Sequence, residues 1–190
     1  TDLAFIQRLL GREGIFFYSQ TRKDYEVLVF TDHNAHCPYL NRPALEFFPP
    51  SGLAKGGLTF NGASHVGLHS LNIRYQRITS THKVRDHTEN NPGTTLRGET
   101  DYSANEVEPQ SSFAEHYGRG SVDMLDAERL SRNLAELAQS TAVTLIARGN
   151  VVDITAGHTY TLDATQFDAQ GRHSGDWLIT SVSHAASQHD

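Results

Sequence analysis

The stretch from Val143 to Val182 constrains this chain most. Val143, Leu145 and Ala147 alternate with Thr144 and Arg148, the period-two pattern of a half-buried strand. Asn150 and then Ala156-Gly157-His158 supply turn chemistry. Thr159 to Asp163 alternates again, with Tyr160 and Leu162 on one face and Thr159, Thr161 and Asp163 on the other. A polar loop, Gln170 to Gly175, follows, and the chain returns through Trp177 to Val182 with Leu178 and Val182 on one face. Three strands joined by short polar turns predict an antiparallel meander, the core of a β-barrel or sandwich. Nothing in the block has the makings of an active site.

The remaining residues have to be arranged around that block. A chain of 190 residues allows one domain, or one domain with a smaller partner. An apolar content of 37% and a mean hydropathy of -0.47 mean that much of the surface is wet or covered by other chains. The net charge of -6 argues against a nucleic-acid binder, which carries a basic stripe. The one cysteine, Cys37, rules out an internal disulfide and fits a reducing compartment. There is no apolar run long enough for a membrane span, and no signal-peptide pattern. A start at Thr1, directly in a helix, is what a piece of a longer protein would show.

Residues 1–10 predict an amphipathic helix, capped by Thr1 or Asp2, with Phe5, Ile6, Leu9 and Leu10 on one side and Gly14 as its stop. Ile15 to Tyr18 and Glu26 to Phe30 predict a hairpin, against which the helix should pack. A Leu9 buried there would make Leu9→Ala cost about 2–4 kcal/mol. Residues 31–67 are loop-rich, with Leu45, Phe47 and Phe48 pinning them to a core. Leu71, Ile73 and Tyr75 alternate, Lys83 to Arg85 is extended, and Asn90 to Gly93 is a turn. Residues 97–120 read as a long polar surface loop. Asp123 to Ser140 predicts a helix with Leu130, Leu134, Leu137 and Ala138 as its stripe and Glu128–Arg132 as an i,i+4 pair. The expected architecture is α+β and mainly antiparallel β. Residues 1–70 form a small helix-hairpin unit with a loop-rich extension, and 71–190 a barrel-like domain with one packed helix at about 123–140.

Candidate sites are few. Asp32, His33, His36 and Cys37 gather potential metal ligands, but no second pair of donors follows, so a surface loop is favoured over zinc. His65 and His69 stand four apart in extended sequence, which separates them by about 13 Å, too far to share an ion. His184 lacks an orienting carboxylate and a nucleophile, and reads as a hydrogen-bonded residue on the packed face of the closing strand. Gly118-Arg119-Gly120 suggests a phosphate loop, but a third glycine is absent and Asp123 and Asp126 would repel phosphate. No catalytic, cofactor-binding or metal-binding residue is assigned, and no metal should be needed for folding.

The opening stretch from Thr1 to Tyr18, TDLAFIQRLLGREGIFFY, resembles a segment of the valine-glycine repeat (Vgr) proteins, the spike proteins of type VI secretion systems, and of related phage tail hubs. Three further stretches agree in order: Val84-Arg85-Asp86 through Asn91-Pro92, Leu134 through Leu162, and Trp177 through His184. The likeness covers nearly the whole chain, although His87 stands where the family more often has tyrosine and residues 97–120 match no pattern. It implies a non-enzymatic hub segment, lying after a first barrel and before an oligosaccharide-binding-like domain and β-helical spike. It also implies assembly as a homotrimer in the full-length protein, with a hexameric tube protein and spike-tip or effector proteins as partners. Assembly would be cytoplasmic, followed by secretion through the type VI apparatus.

A contractile phage tail hub is the alternative with the same fold. From other classes come a metal-dependent hydrolase using Asp32, His33 and His36, separable by metal analysis, and a β-rich binding module, for which exposed Tyr and Trp clusters would be expected. With few apolar residues to spare once a barrel is filled, the isolated segment should be monomeric or weakly associated and the full-length protein a stable trimer.

Overall fold

Thr1 opens the first helix and Gly14 closes it, as the sequence requires. The Ala4 N–H donates to the Thr1 side chain at 3.4 Å, and Gly14 ends the last turn at φ 74°, a left-handed conformation that costs glycine little. In the computed structural model this helix, α1, spans Asp2–Glu13. The model describes residues 1–42, 44–48, 59–60, 63–64, 66–88, 91–101 and 112–186, and of residues 59, 60, 63, 64, 91 and 92 the backbone only. The strands in chain order are β1 (Phe16–Thr21), β2 (Glu26–Thr31), β3 (Leu45–Glu46), β4 (Thr59–Phe60), β5 (Ala63–Ser64) and β6 (Leu68–Tyr75). They continue as β7 (Thr81–Thr88), β8 (Asn91–Asp101), β9 (Phe113–Tyr117), β10 (Val143–Gly149), β11 (Thr159–Asp163) and β12 (Gly175–Leu178). A 3-10 turn covers Asn34–His36, and helix α2 covers Met124–Ser140. The molecule is α+β and mostly antiparallel, with two α-helices among the described residues.

The chain divides into two compact units, each made of two segments. Unit 1 is Thr1–Ile15 with Ile73–Thr144, and unit 2 is Phe16–Asn72 with Leu145–Asp190. The changeover between Asn72 and Ile73 falls inside β6.

In unit 1 a sheet of order β8-β7-β9 carries α2 on one face. β7 and β8 pair antiparallel, with Lys83 opposite Glu99 and Val84 opposite Gly98, while β9 adds in parallel, with Val84 opposite His116. Val84, Leu96, Ala127 and Leu130 form the core, with Leu134 packed against it. This corrects the expected loop over 97–120 at its described strands, while residues 102–111 lie outside the described residues. β8 runs on to Asp101 and β9 follows, because Leu96, Gly98 and Thr100 face α2 while Arg97, Glu99 and Asp101 face outward. The inward residues are too small to write a hydrophobic pattern. The stripe of α2 is also rotated from expectation. Ala127, Leu130, Ser131 and Ala135 are buried, whereas Leu137 is exposed.

In unit 2 the expected meander of three consecutive strands is not what forms. β11 and β12 do pair antiparallel, with Tyr160 opposite Trp177, but the other neighbour of β11 is β3, in parallel, and β10 pairs with β6. The local alternation was sound: Tyr160 and Leu162 are buried and Thr161 exposed. Alternation identifies a strand's faces and not its partners. Leu45 and Phe47 enter the core beside Leu68, Val151, Tyr160, Leu162, Ala164 and Ile179, as the loop-pinning argument expects. No sheet closes on itself among the described residues. β1 and β2 form the expected hairpin, with Phe17 opposite Phe30 and their rings 5.6 Å apart.

Candidate assembly surfaces

α1 is held to α2 by charge and leaves its apolar side open. The Arg12 guanidinium donates to the Gly120 carbonyl at 2.8 Å and to Asp126 at 3.3 Å. Arg129 pairs with Glu13 and, at 2.6 Å, with Asp126. The Asn133 side chain donates to the Arg12 carbonyl at 2.9 Å. Hydrogen bonding from Arg129 outweighs burial and, with the Val122 N–H and Arg12 adding to it, holds the Asp126 carboxyl below its usual range. All of these contacts sit at the C-terminal end of α1. Along the rest of it Leu3, Phe5, Ile6 and Leu9 are 56, 55, 45 and 49% exposed.

The docked Leu9 expected from the sequence is therefore corrected. Leu9→Ala should cost less than about 1 kcal/mol, because a half-exposed leucine gives up little burial. Urea unfolding beside the control Gln7→Ala checks this. A loss of about 2–4 kcal/mol would return Leu9 to a core.

A second open surface in unit 1 is the outer face of its sheet. Lys83 pairs with Glu99 at 2.9 Å, Arg85 with Glu115 at 3.0 Å, and the Thr81 hydroxyl donates to Asp101 at 2.7 Å. Phe113 lies under the Lys83 ammonium at 5.6 Å, and Tyr117 hydrogen-bonds His87 at 2.9 Å. Both aromatics are largely exposed. In unit 2, Leu28 and Phe30 stand exposed on β2. Apolar side chains are thus exposed on both units, more of them than the few that a filled core was expected to spare. Exposed apolar rows of this kind are what association covers.

The residues singled out as possible sites have local roles. The His33 ring accepts from the Ala35 N–H at 3.0 Å, capping the 3-10 turn, and His36 Nδ1 lies 3.2 Å from the Thr31 hydroxyl and 3.7 Å from Asp32. Cys37 is buried, and burial pushes its thiol up, away from the reactive thiolate. Among the described residues no three His, Cys, Asp or Glu side chains gather to hold a metal. His65 lies outside the described residues, and His69 is on β6. His184 is exposed and beyond the end of β12, not on a packed strand face, and its Nε2 lies 3.1 Å from the Ile154 carbonyl. Burial pushes the Tyr160 phenol up to about 12, which keeps it neutral.

The glycine pair that suggested a phosphate loop does bind an anion, and the anion is internal. Asp86, on β7 and 5% exposed, accepts from the Ser121 N–H at 2.8 Å and from the His87 N–H at 3.2 Å. Burial pushes its carboxyl up, but the N–H groups of Ser121, His87 and Gly120 together outweigh that and hold it below the usual range. Sequence reasoning missed Asp86. Its signal was an acid on the inward face, in step with Val84.

The whole chain, residues 1–190, matches the family model described as the phage tail baseplate hub. It is also 26% identical over 194 aligned positions to the type VI secretion system spike protein VgrG5 of Pseudomonas aeruginosa. That alignment takes in 99% of this chain and 22% of the relative, so the chain spans about a fifth of that protein's length.

Proposed function

The chain belongs to the phage tail baseplate hub family, and from that premise we propose that it is a structural hub segment of a type VI secretion spike, working by shape and association without catalysis. The observation that carries this is the family match over the whole length, together with the similarity to a spike protein. The exposed rows on α1 and β2 support it physically, since they are surfaces that partners can cover. The proposal extends to joining a hexameric tube to a trimeric spike, with the longer protein a homotrimer that also meets spike-tip or effector proteins. It includes assembly in the cytoplasm and export through the secretion apparatus. The division at residue 70 and the barrel-like closure of 71–190 belong to the same proposal. A contractile phage tail hub is the second reading, favoured by the description of the matching family, and genomic neighbourhood separates the two.

Sedimentation of the full-length protein, alone and with rings of its tube protein, tests the proposal. A trimer that co-sediments with the rings is the expected result. A monomer indifferent to the rings would overturn it. Charged substitutions on α1, Phe5→Asp with Leu9→Asp, should weaken self-association or tube binding at least tenfold if that face is covered in the assembly.

A further inference from the structure

Strand β9 has β7 as its one strand neighbour among the described residues. Two histidines join the strands on the face opposite the Arg85–Glu115 ion pair and the Tyr117–His87 hydrogen bond, in addition to the backbone ladder. The rings of His82 on β7 and His116 on β9 are nearly parallel, with planes 5° apart, and meet edge to edge with centroids 5.7 Å apart. His82 Nδ1 lies 3.4 Å from His116 Nε2, and Arg119 Nη2 lies 3.1 Å from His116 Nδ1. A guanidinium can only donate, so His116 Nδ1 accepts, and the proton of the neutral ring sits on Nε2, facing His82 Nδ1 as its acceptor. His82 is buried, and its Nε2 has no hydrogen-bond partner among the described residues. The chain of donation from Arg119 to His116 to His82 works only while both rings are neutral.

We propose that this histidine pair is an acid-sensitive latch, which helps to hold β9 on β7 at neutral pH and loosens the strand when either ring gains a proton. A proton on His82 sets an N–H at Nδ1 against the N–H of His116. A proton on His116 sets an N–H at Nδ1 against the cationic Arg119. While Arg119 holds His116 in this tautomer two donors then meet, and the contact that the rings add to the β7–β9 ladder is lost.

The neighbours on each packed element leave this opposition in place. On β8, Thr100 stands opposite His82, and on α2 Ser131 hydrogen-bonds Thr100 at 2.7 Å; neither is charged. On β7, Asp86 is engaged by the N–H groups of His87, Gly120 and Ser121. After β9, Arg119 adds positive charge. Burial lowers His116, with Arg119 and His82 adding to it, and burial lowers His82, with the Thr79 backbone working against it. A histidine lowered from 6.5 in the folded state contributes stability that is complete above 6.5 and is lost as pH falls through the lower folded value.

Amide hydrogen exchange in the 190-residue chain, at about pH 7.5 and about pH 5, tests the latch. Once corrected for intrinsic exchange rates, protection at Ala114 to Tyr117 should fall roughly tenfold or more in acid while Ala127 to Leu134 keep theirs. Equal protection of β9 at both pH values, or a loss shared equally by α2, would overturn the proposal. His116→Gln should remove the pH dependence of β9 protection, and its persistence counts against the latch. Arg119→Gln leaves both histidines in place, so it remains informative if the first variant does not fold. The His116 ring titration, followed by NMR, should then move to higher pH; no movement would overturn the role given to Arg119.

Discussion

Asp86→Ala is expected to destabilise unit 1 by about 3 kcal/mol, because it removes a buried charged acceptor shared by several backbone donors, Ser121 buried among them. The Ser121 and His87 N–H groups lose bonds of 2.8 and 3.2 Å, and Ser121 is itself buried. Alanine offers nothing in return, and water has poor access to replace the carboxylate. The loss falls on the turn that starts α2, next to the point where Arg12 reaches the Gly120 carbonyl. Asp86→Asn keeps one accepting oxygen and should cost less than the alanine variant. Far-UV circular dichroism is the suitable probe, since both α-helices are in unit 1, whereas Trp177 fluorescence reports on unit 2. A cost below about 1 kcal/mol in the dichroism transition would show that the carboxylate does not organise this turn.

The same site has a pH signature with a definite sign. The folded carboxyl is held below 3.8, so the unfolded chain binds its proton first as pH falls. The stabilisation is fully present above 3.8 and disappears as pH drops through the lower folded value. The gap between the parent chain and Asp86→Asn should therefore narrow below that point. This acid step and the histidine latch are distinguishable, because the latch acts from 6.5 downward and Asp86 only below 3.8.

What was legible in the sequence were elements with complete local signals. Helix α1 carries a cap at Thr1 and a stop at Gly14, α2 a cap at Asp123, and the β1–β2 hairpin a pair of apolar runs. Pairing over long separations left no such mark. β3 joins β11, and β10 finds β6, across long stretches of intervening chain, and nothing in either strand's alternation names the partner. The apolar side of α1 misled in a different way. Its spacing correctly gave a face, but burial of that face inside one chain does not follow from its existence, and here Arg12, Glu13 and Asn133 make the attachment. Among the candidate sites, the loop at Asp32 to Cys37 resolved into a cap and a buried thiol. The Gly118 to Gly120 turn was rejected as a phosphate loop, and the anion that its backbone does hold, Asp86, lies 32 or more residues upstream and belongs to a strand.

Gly98→Val is expected to cost about 3 kcal/mol or more, and Gly11→Ala to stabilise by roughly 0.5–1 kcal/mol, although both glycines look like breakers in the sequence. A Cβ at Gly98 would lie 2.1 Å from the Ala127 carbonyl oxygen and 2.6 Å from the Glu128 nitrogen. Those are backbone atoms of α2, which cannot move aside without lifting the helix from Val84 and Leu96. The glycine on β8 is therefore the condition for helix and sheet to approach so closely, and valine's preference for strands does not offset the overlap. At Gly11 a Cβ meets nothing within 4 Å, so alanine brings only its better helix propensity. Thermal and urea unfolding of the two variants, followed by helix dichroism, should move in opposite directions from the parent. A Gly98→Val chain as stable as the parent would mean that α2 does not rest on β8 at this distance, and the packing of unit 1 derived above would fail with it.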